Sequence, residues 1–200
     1  MNKGNINTGD KIGEWTVNKR ISGDKVYEVS RKDSNQPYAM KIRRNSELRR
    51  FDREIEILKK LNRDGGHPAF PQLHDYSRRD YWMVLDYANP DHKLKDVFEG
   101  FKRSELLVGI NIDTFTEQLR DAIVFALNRG LVLLSSDMQL FIKDGKPFLV
   151  DVEHAQKINT SPQQWMFGYI ATHRSKTPLE AFLNLSKHKE FISSLNSDNQ

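Results

Sequence analysis

From Ser46 to Asn62 the apolar residues Leu48, Phe51, Ile55, Leu58 and Leu61 recur at intervals of three and four, the period of one helix face, with Asn45 or Ser46 available as N-cap. One carboxylate intrudes on that stripe. Glu54 lies three residues after Phe51, four before Leu58 and seven before Leu61, whereas Glu56 falls with Asp52, Arg53 and Lys59 on the polar side. A carboxylate on a buried face must be paired or protonated. A partner stands just upstream, in Tyr38-Ala39-Met40-Lys41-Ile42, where strand alternation sends Tyr38, Met40 and Ile42 to one face and Ala39 with Lys41 to the other. That second face admits a flat aromatic ring against Ala39 while Lys41 reaches phosphate oxygens. The plainer reading of the same residues is a surface lysine on a half-exposed strand and a Glu54 that reaches solvent at the edge of the stripe.

The elements around this pair have a definite order. Glu14 to Ile21, Val26 to Arg31 and Gln36 to Arg43 read as strands of an antiparallel meander, with turns at Ser22-Gly23-Asp24 and Asp33-Ser34-Asn35. After the helix and Asp64-Gly65-Gly66 come two more strands, Phe70 to His74 and Tyr81 to Tyr87, and a connector from Ala88 to His92. The pattern then turns helical, weakly over Lys93 to Phe101 and plainly over Thr114 to Arg129, where Phe115, Leu119, Ile123, Val124 and Leu127 form a stripe closed by Gly130. Gln139 to Ile142 and Pro147 to Val150 flank an Asp144-Gly145 pair suited to a tight hairpin. Two modest helical stretches follow, near Pro162 to Tyr169 and Leu179 to Leu195, and both polar ends read as frayed.

Composition narrows the classes. A chain of 200 residues suits one domain, or one domain with two lobes. The absence of cysteine removes disulfide scaffolds, thiolate zinc sites and cysteine nucleophiles. Apolar runs such as Leu131 to Leu134 are far too short to span a bilayer, so no membrane association is expected. Met1 to Asp10 lacks the apolar core of a secretory signal, and a cytoplasmic location is expected. The net charge of +4 favours anionic partners such as phosphates. The basic run Lys41, Arg43, Arg44, Arg49, Arg50 and Arg53 reads first as a solvated face and second as a site for a phosphorylated segment or nucleic acid. Trp15, Trp82 and Trp165 are dispersed rather than interleaved with it, so nucleic acid is not the expected partner.

Several of these residues, in this order, resemble the protein kinase family. Val26-Tyr27-Glu28-Val29 follows a glycine turn, Ala39-Met40-Lys41-Ile42 is similar to the family's Val-Ala-Ile-Lys run, and Arg53 to Leu61 is similar to the helix that pairs with it. His67-Pro68 and Met83-Val84-Leu85-Asp86-Tyr87-Ala88 resemble the approach to the hinge, and Leu127 to Val132 the helix end before the catalytic loop. The hairpin leading into Asp151-Val152-Glu153 resembles the strands that deliver the metal-binding Asp-Phe-Gly motif.

The resemblance implies an α+β, two-lobed protein-kinase-like fold with a reduced helical second lobe: a free N-terminus over 1–10, a first lobe over 11–88, a second over 89–192 and a tail over 193–200. It implies ATP with Mg2+ or Mn2+ between the lobes. Gly23, Val26, Ala39, Leu85 as gatekeeper, and Asp86, Tyr87 and Ala88 would face the nucleotide; Lys41 would hold its phosphates, Glu54 would hold Lys41, and Asp151 would hold the metal.

Three departures qualify that picture. The glycine loop is shortened to Ile21-Ser22-Gly23-Asp24-Lys25-Val26, which removes part of the backbone cradle for phosphate. Leu133-Leu134-Ser135 stands where the family has His-Arg-Asp; the nearest carboxylate is Asp137, whose spacing to Asp151 suits a metal-binding residue better than a base, and Gln139 takes the family's asparagine position if the hairpin has no gap. Finally, nothing after Glu153 resembles the Ala-Pro-Glu motif of the activation segment. The expected function is a divergent kinase acting on Ser or Thr of a protein or of itself. A pseudokinase serving as a binding module and a small-molecule kinase stand as the alternatives.

Overall fold

The structure, a computed structural model, describes residues 6–22, 25–34, 36–87, 92–93, 111–133 and 139–157. The chain divides into two compact units, Met1–Asn62 with Pro71–Ala88, and Arg63–Phe70 with Asn89–Gln200. The expected helices over 162–169 and 179–195 lie outside the described residues, and of the one expected over 93–101 only Lys93 is described, where it belongs to a short strand instead.

The first unit is an antiparallel sheet of β1 (Lys11–Ile12), β2 (Trp15–Ser22), β3 (Val26–Arg31), β4 (Tyr38–Ile42), β5 (Leu73–Ser77) and β6 (Trp82–Asp86), in the order β1-β2-β3-β4-β6-β5. Ile12, Trp15, Val17, Tyr27, Val29, Met40, Trp82 and Val84 bury one face of it, with Tyr38 and Ile42 packed against them. The alternation expected in β4 is thus the alternation that forms. On the opposite face the register sets Val26 and Met83 beside Lys41, and Glu28 and Leu85 beside Ala39.

Helix α1 (Leu48–Leu61) connects β4 to β5 and buries Phe51, Glu54, Ile55, Ile57, Leu58 and Leu61. It begins later than its pattern suggests. Asn45–Glu47 forms a 3-10 turn, and the N-cap is Glu47, which makes no side-chain cap bond. The Glu47 carboxylate instead accepts from Lys25 Nζ at 2.7 Å and from the Arg44 N–H at 3.2 Å, and Leu48 is left 37% exposed at the edge of the stripe.

The strand expected over Phe70 to His74 forms at Leu73–Ser77 instead. Asn62, at the end of α1, fixes that start: its amide donates to Pro71 O at 3.1 Å and its Oδ1 accepts from Leu73 N–H at 2.7 Å. Residues upstream turn back on themselves, with the Phe70 N–H bonded to His67 O at 3.0 Å.

The second unit is organised on α2 (Ile112–Asn128), capped by the Asn111 side chain accepting from Thr114 N–H at 3.0 Å. It buries Phe115, Leu119, Ala122, Ile123, Ala126 and Leu127, and it ends as expected at Gly130, whose φ is +67°. Val124, expected in the stripe, is 39% exposed. Arg63–Phe70 docks on this helix, since His67 Nε2 lies 3.2 Å from Asp121 Oδ2 and the Phe70 ring stacks on Phe125 at 6.2 Å. Arg129 covers Phe125 at 3.5 Å, and the Leu149 N–H donates to Ala69 O at 2.7 Å. The short strand β7 (His92–Lys93) pairs with β9 (Gln139–Lys143), which forms a hairpin with β10 (Lys146–Val150). Two-residue strands β8 (Leu131–Val132) and β11 (Gln156–Lys157) pair with each other. Among the described residues no helix is long and apolar enough to cross a membrane.

Candidate functional site

In the first unit the strand lysine and the helix glutamate meet. Lys41 Nζ donates to Glu54 Oε1 at 2.8 Å, and the two side chains are 12% and 2% exposed. Burial this deep makes the pair costly to break, because either charge left alone would be uncompensated away from water. Glu54 is also held from its other side: Arg43 Nη2 donates to Oε2 at 2.9 Å.

Arg43 corrects a sequence expectation. It was grouped with a solvated basic run, yet its side chain is only 7% exposed, while Arg44, Arg49, Arg50 and Arg53 do lie in the open. The signal was in the alternation: two positions after Lys41, Arg43 falls on the same side of the strand. Its backbone N–H is fixed by Tyr81 O at 2.8 Å, and Nη1 lies 3.8 Å from Glu47 Oε1. The hydrogen bond from Lys25 holds the Glu47 carboxyl below its ordinary pKa, against the opposing effect of burial. The result is an alternating chain of charges, Lys25, Glu47, Arg43, Glu54 and Lys41.

Beside Lys41, the half-buried Val26, Ala39 and Leu85 share the face that the register defines. They make an apolar surface next to an ammonium. Asp86 follows Leu85 with its carboxylate engaged: Oδ2 accepts from Gln72 N–H at 2.9 Å and Oδ1 lies 2.6 Å from His74 Nε2. Its own N–H donates to Gln72 O at 3.2 Å. Tyr87 is half-buried, and Gly23 and Ala88 lie outside the described residues.

In the second unit Asp151 directly follows β10 in the left-handed region, at φ 57° and ψ 43°, and precedes a 3-10 turn over Val152–His154. A non-glycine residue held there stores strain, as residues of functional sites often do. The hairpin has no gap: Val150 pairs with Gln139 and Lys146 with Lys143, so the Gln139 backbone stands across from the residue before Asp151. The side chain of Gln139 and all of Asp137 lie outside the described residues.

Glu153 is a residue the sequence reading passed over. It is 6% exposed, and one of its carboxylate oxygens comes within 4.8 Å of one of Asp151. Its place two positions beyond an apolar strand end was the available signal, the same that singled out Asp151. Leu133, which the sequence resemblance would set against the family's catalytic-loop histidine, is 3% exposed and belongs to the core with Leu131 and Val132.

No family model matches this chain, and no curated protein does either. Solved structures do. The kinase domain of PknI from Mycobacterium tuberculosis superposes with a TM-score of 0.52 at 20% identity, over 76% of this chain and 65% of that one. A second structure of the same domain gives 0.53 at 20% identity, over 74% and 61%. The kinase PK-1 of Cydia pomonella granulovirus gives 0.52 at 17% identity, over 74% of this chain and 56% of that one. The chain therefore spans less than two thirds of the length of these kinases. At such identities the likeness speaks to the backbone alone, and together with an antiparallel sheet that carries one helix between its fourth and fifth strands it shows an α+β, protein-kinase-like fold.

Proposed function

We propose that this chain is a small, divergent kinase that binds ATP with Mg2+ or Mn2+ and transfers the γ-phosphate to a Ser or Thr hydroxyl of a protein or of itself. The observation that carries this reading is the buried ion pair of Lys41 and Glu54 beside the apolar face of Val26, Ala39 and Leu85. An adenine ring would lie against that face, and Lys41, oriented by Glu54, would donate to phosphate oxygens.

Asp151 and Gln139 offer hard oxygen donors of the kind that Mg2+ takes along with phosphate and water. Such an ion, once bound, would offset the negative charge of the phosphates. In the transfer, the substrate hydroxyl oxygen bonds to the γ-phosphorus as the bond to the departing ADP oxygen breaks. The hydroxyl proton passes to a carboxylate, for which Asp137 is the nearest candidate in sequence.

The second reading is a binding module without catalysis, and the burial of Leu133 where the family carries a polar catalytic loop favours it. A small-molecule kinase is the remaining enzyme reading. Incubation with γ-labelled ATP and metal separates them, comparing the natural chain with Lys41→Ala, Asp137→Ala and Asp151→Ala on protein and small-hydroxyl acceptors. For an active kinase, Asp137→Ala slows turnover by roughly 10²- to 10⁴-fold while nucleotide affinity holds, the mark of a lost general base. Equal background labelling by all four proteins would leave only the binding module.

A further inference from the structure

The sheet face that carries Lys41 and Ala39 also carries a polar cluster that the proposed transfer does not use. Glu28 stands beside Ala39 in the register of β3 with β4. Two successive residues of β2 turn to it: Lys19 Nζ lies 3.1 Å from Oε2, and Asn18 Nδ2 lies 3.5 Å from Oε1. Successive side chains of a regular strand point to opposite faces. Here the pairing slips between Val17, opposite Val29, and Lys19, opposite Glu28, so Asn18 is an extra residue and reaches the same carboxylate as its neighbour. Ser30 Oγ donates to Asn18 Oδ1 at 3.0 Å, which fixes the amide with its amino group toward Glu28.

The Glu28 side chain is 16% exposed against 63% for Lys19. The Lys19 ammonium is held above its ordinary pKa, first by its hydrogen bond to Glu28 and then by the Glu28 charge, and Tyr87, the residue after β6, adds to the effect. The carboxylate is held in place with acceptor capacity to spare. Its two oxygens offer roughly four lone-pair sites, and Lys19 and Asn18 meet one oxygen each.

Leu85 on β6, Ala39 on β4 and Glu28 on β3 form a row across the sheet, about 10 Å wide at ~4.8 Å between strands. A purine laid on Ala39 with its hydrogen-bonding edge toward β6 and Tyr87 has N9 on the opposite side, so its sugar is directed toward β3. The 5′ carbon then leads along β4 to Lys41, beside Val26, and the 2′ and 3′ hydroxyls are left on the side of Glu28. A vicinal pair of hydroxyl donors matches the remaining lone pairs of one carboxylate.

We infer that Glu28 is a specificity-determining residue for the sugar, its carboxylate accepting from the 2′ and 3′ hydroxyls of a ribonucleotide while Asn18 and Ser30 hold it in position. This rests on the reading of Ala39 and Lys41 as the seat of base and phosphates.

The test is calorimetric titration of the full chain in Mg2+ with ATP, 2′-deoxy-ATP and 3′-deoxy-ATP, for the natural protein, Glu28→Gln and Lys19→Met. Hydrogen bonds to a charged group are strong enough that each missing hydroxyl should weaken binding to the natural chain by about tenfold. Glu28→Gln keeps the shape of the side chain and loses the charge, so ATP should fall to within about threefold of the deoxynucleotides. Lys19→Met separates sugar recognition from the ion pair, because the carboxylate stays and the ratio of about tenfold should stay with it. The ratio between nucleotides is the readout, since general loosening of the sheet weakens all three alike.

The role of Glu28 is overturned if the ratios survive in Glu28→Gln, if Lys19→Met loses them as fully as Glu28→Gln does, or if the natural chain binds ATP without discriminating. In each of those cases ATP binding leaves the proposed function standing. No binding of any of the three nucleotides by the natural chain would instead remove the proposed function, and the sugar site with it.

Discussion

The indole Nε1 of Trp15 donates to Asp75 Oδ2 at 2.9 Å, joining residues sixty apart in sequence and strands, β2 and β5, that are not neighbours in the sheet. Between them the Tyr38 ring meets Trp15 edge-on at 5.0 Å and His74 at 4.9 Å. An aromatic row therefore crosses the face opposite Lys41 and sets the strands on which Ala39 and Leu85 are carried. Trp15→Phe keeps much of the apolar volume but leaves Asp75 without its indole donor, and should cost about 1–3 kcal/mol in urea unfolding. A stability within error of the natural chain would mean that the bond contributes nothing net.

The ion pair of Lys25 and Glu47 should make stability depend on acid. The Glu47 pKa is lowered in the folded chain, first by the hydrogen bond from Lys25. A lowered carboxylate contributes stability above its unfolded value, near 4.5, and loses it as pH falls through the folded value. Lys25 is 34% exposed, so solvent screening keeps the pair to about 0.5–1 kcal/mol. Lys25→Met should be less stable than the natural chain by that amount at neutral pH. The difference should vanish in the acid limb and shrink in high salt, both readable from thermal melts.

Gly145 has φ +71° in the turn of the β9 and β10 hairpin, and a Cβ built there meets nothing within 4 Å. Gly145→Ala is therefore a test of backbone strain alone, expected to cost about 1 kcal/mol. The turn keeps the hairpin in register, which sets Gln139 across from Val150. Chemical denaturation measures the cost; an unchanged midpoint would show that the turn relaxes without penalty.

How far the residues disclosed all this depends on the range of the forces involved. α1 and its buried Glu54 were legible because a stripe of period 3.6 is a local signal, and a carboxylate inside it is conspicuous. The β9 and β10 hairpin was legible from Asp144-Gly145, since few other residues tolerate the positive φ of 51° and 71° found there. The start of β5 was not, because it is fixed by the side chain of Asn62, eleven residues before Leu73. Strands β1, β8 and β11 have two residues each, too few for any period. Arg43 looked solvated because arginines in a basic run usually are; its burial is decided by the opposing carboxylates of α1, and by alternation from Lys41 alone it could have been suspected.

The last prediction concerns the cation. Asp151 sits at φ 57°, a region that asparagine tolerates better than alanine does, so Asp151→Asn removes the charge with little backbone penalty. The comparison is a thermal-shift titration of ATP against the natural chain, Asp151→Asn and Lys41→Met, each with Mg2+ and with chelator. A ligand at one hundred times its dissociation constant stabilises by about 2.7 kcal/mol, well within the reach of a melt. If Asp151 helps to hold the ion, the natural chain gains more from ATP with Mg2+ than with chelator, and Asp151→Asn loses that increment while keeping the chelator response. Lys41→Met, which removes a phosphate contact rather than a metal contact, should lose in both conditions. An Asp151→Asn protein that retains the full Mg2+ increment would remove Asp151 from the metal site and leave Glu153, buried two residues on, as the next carboxylate to substitute.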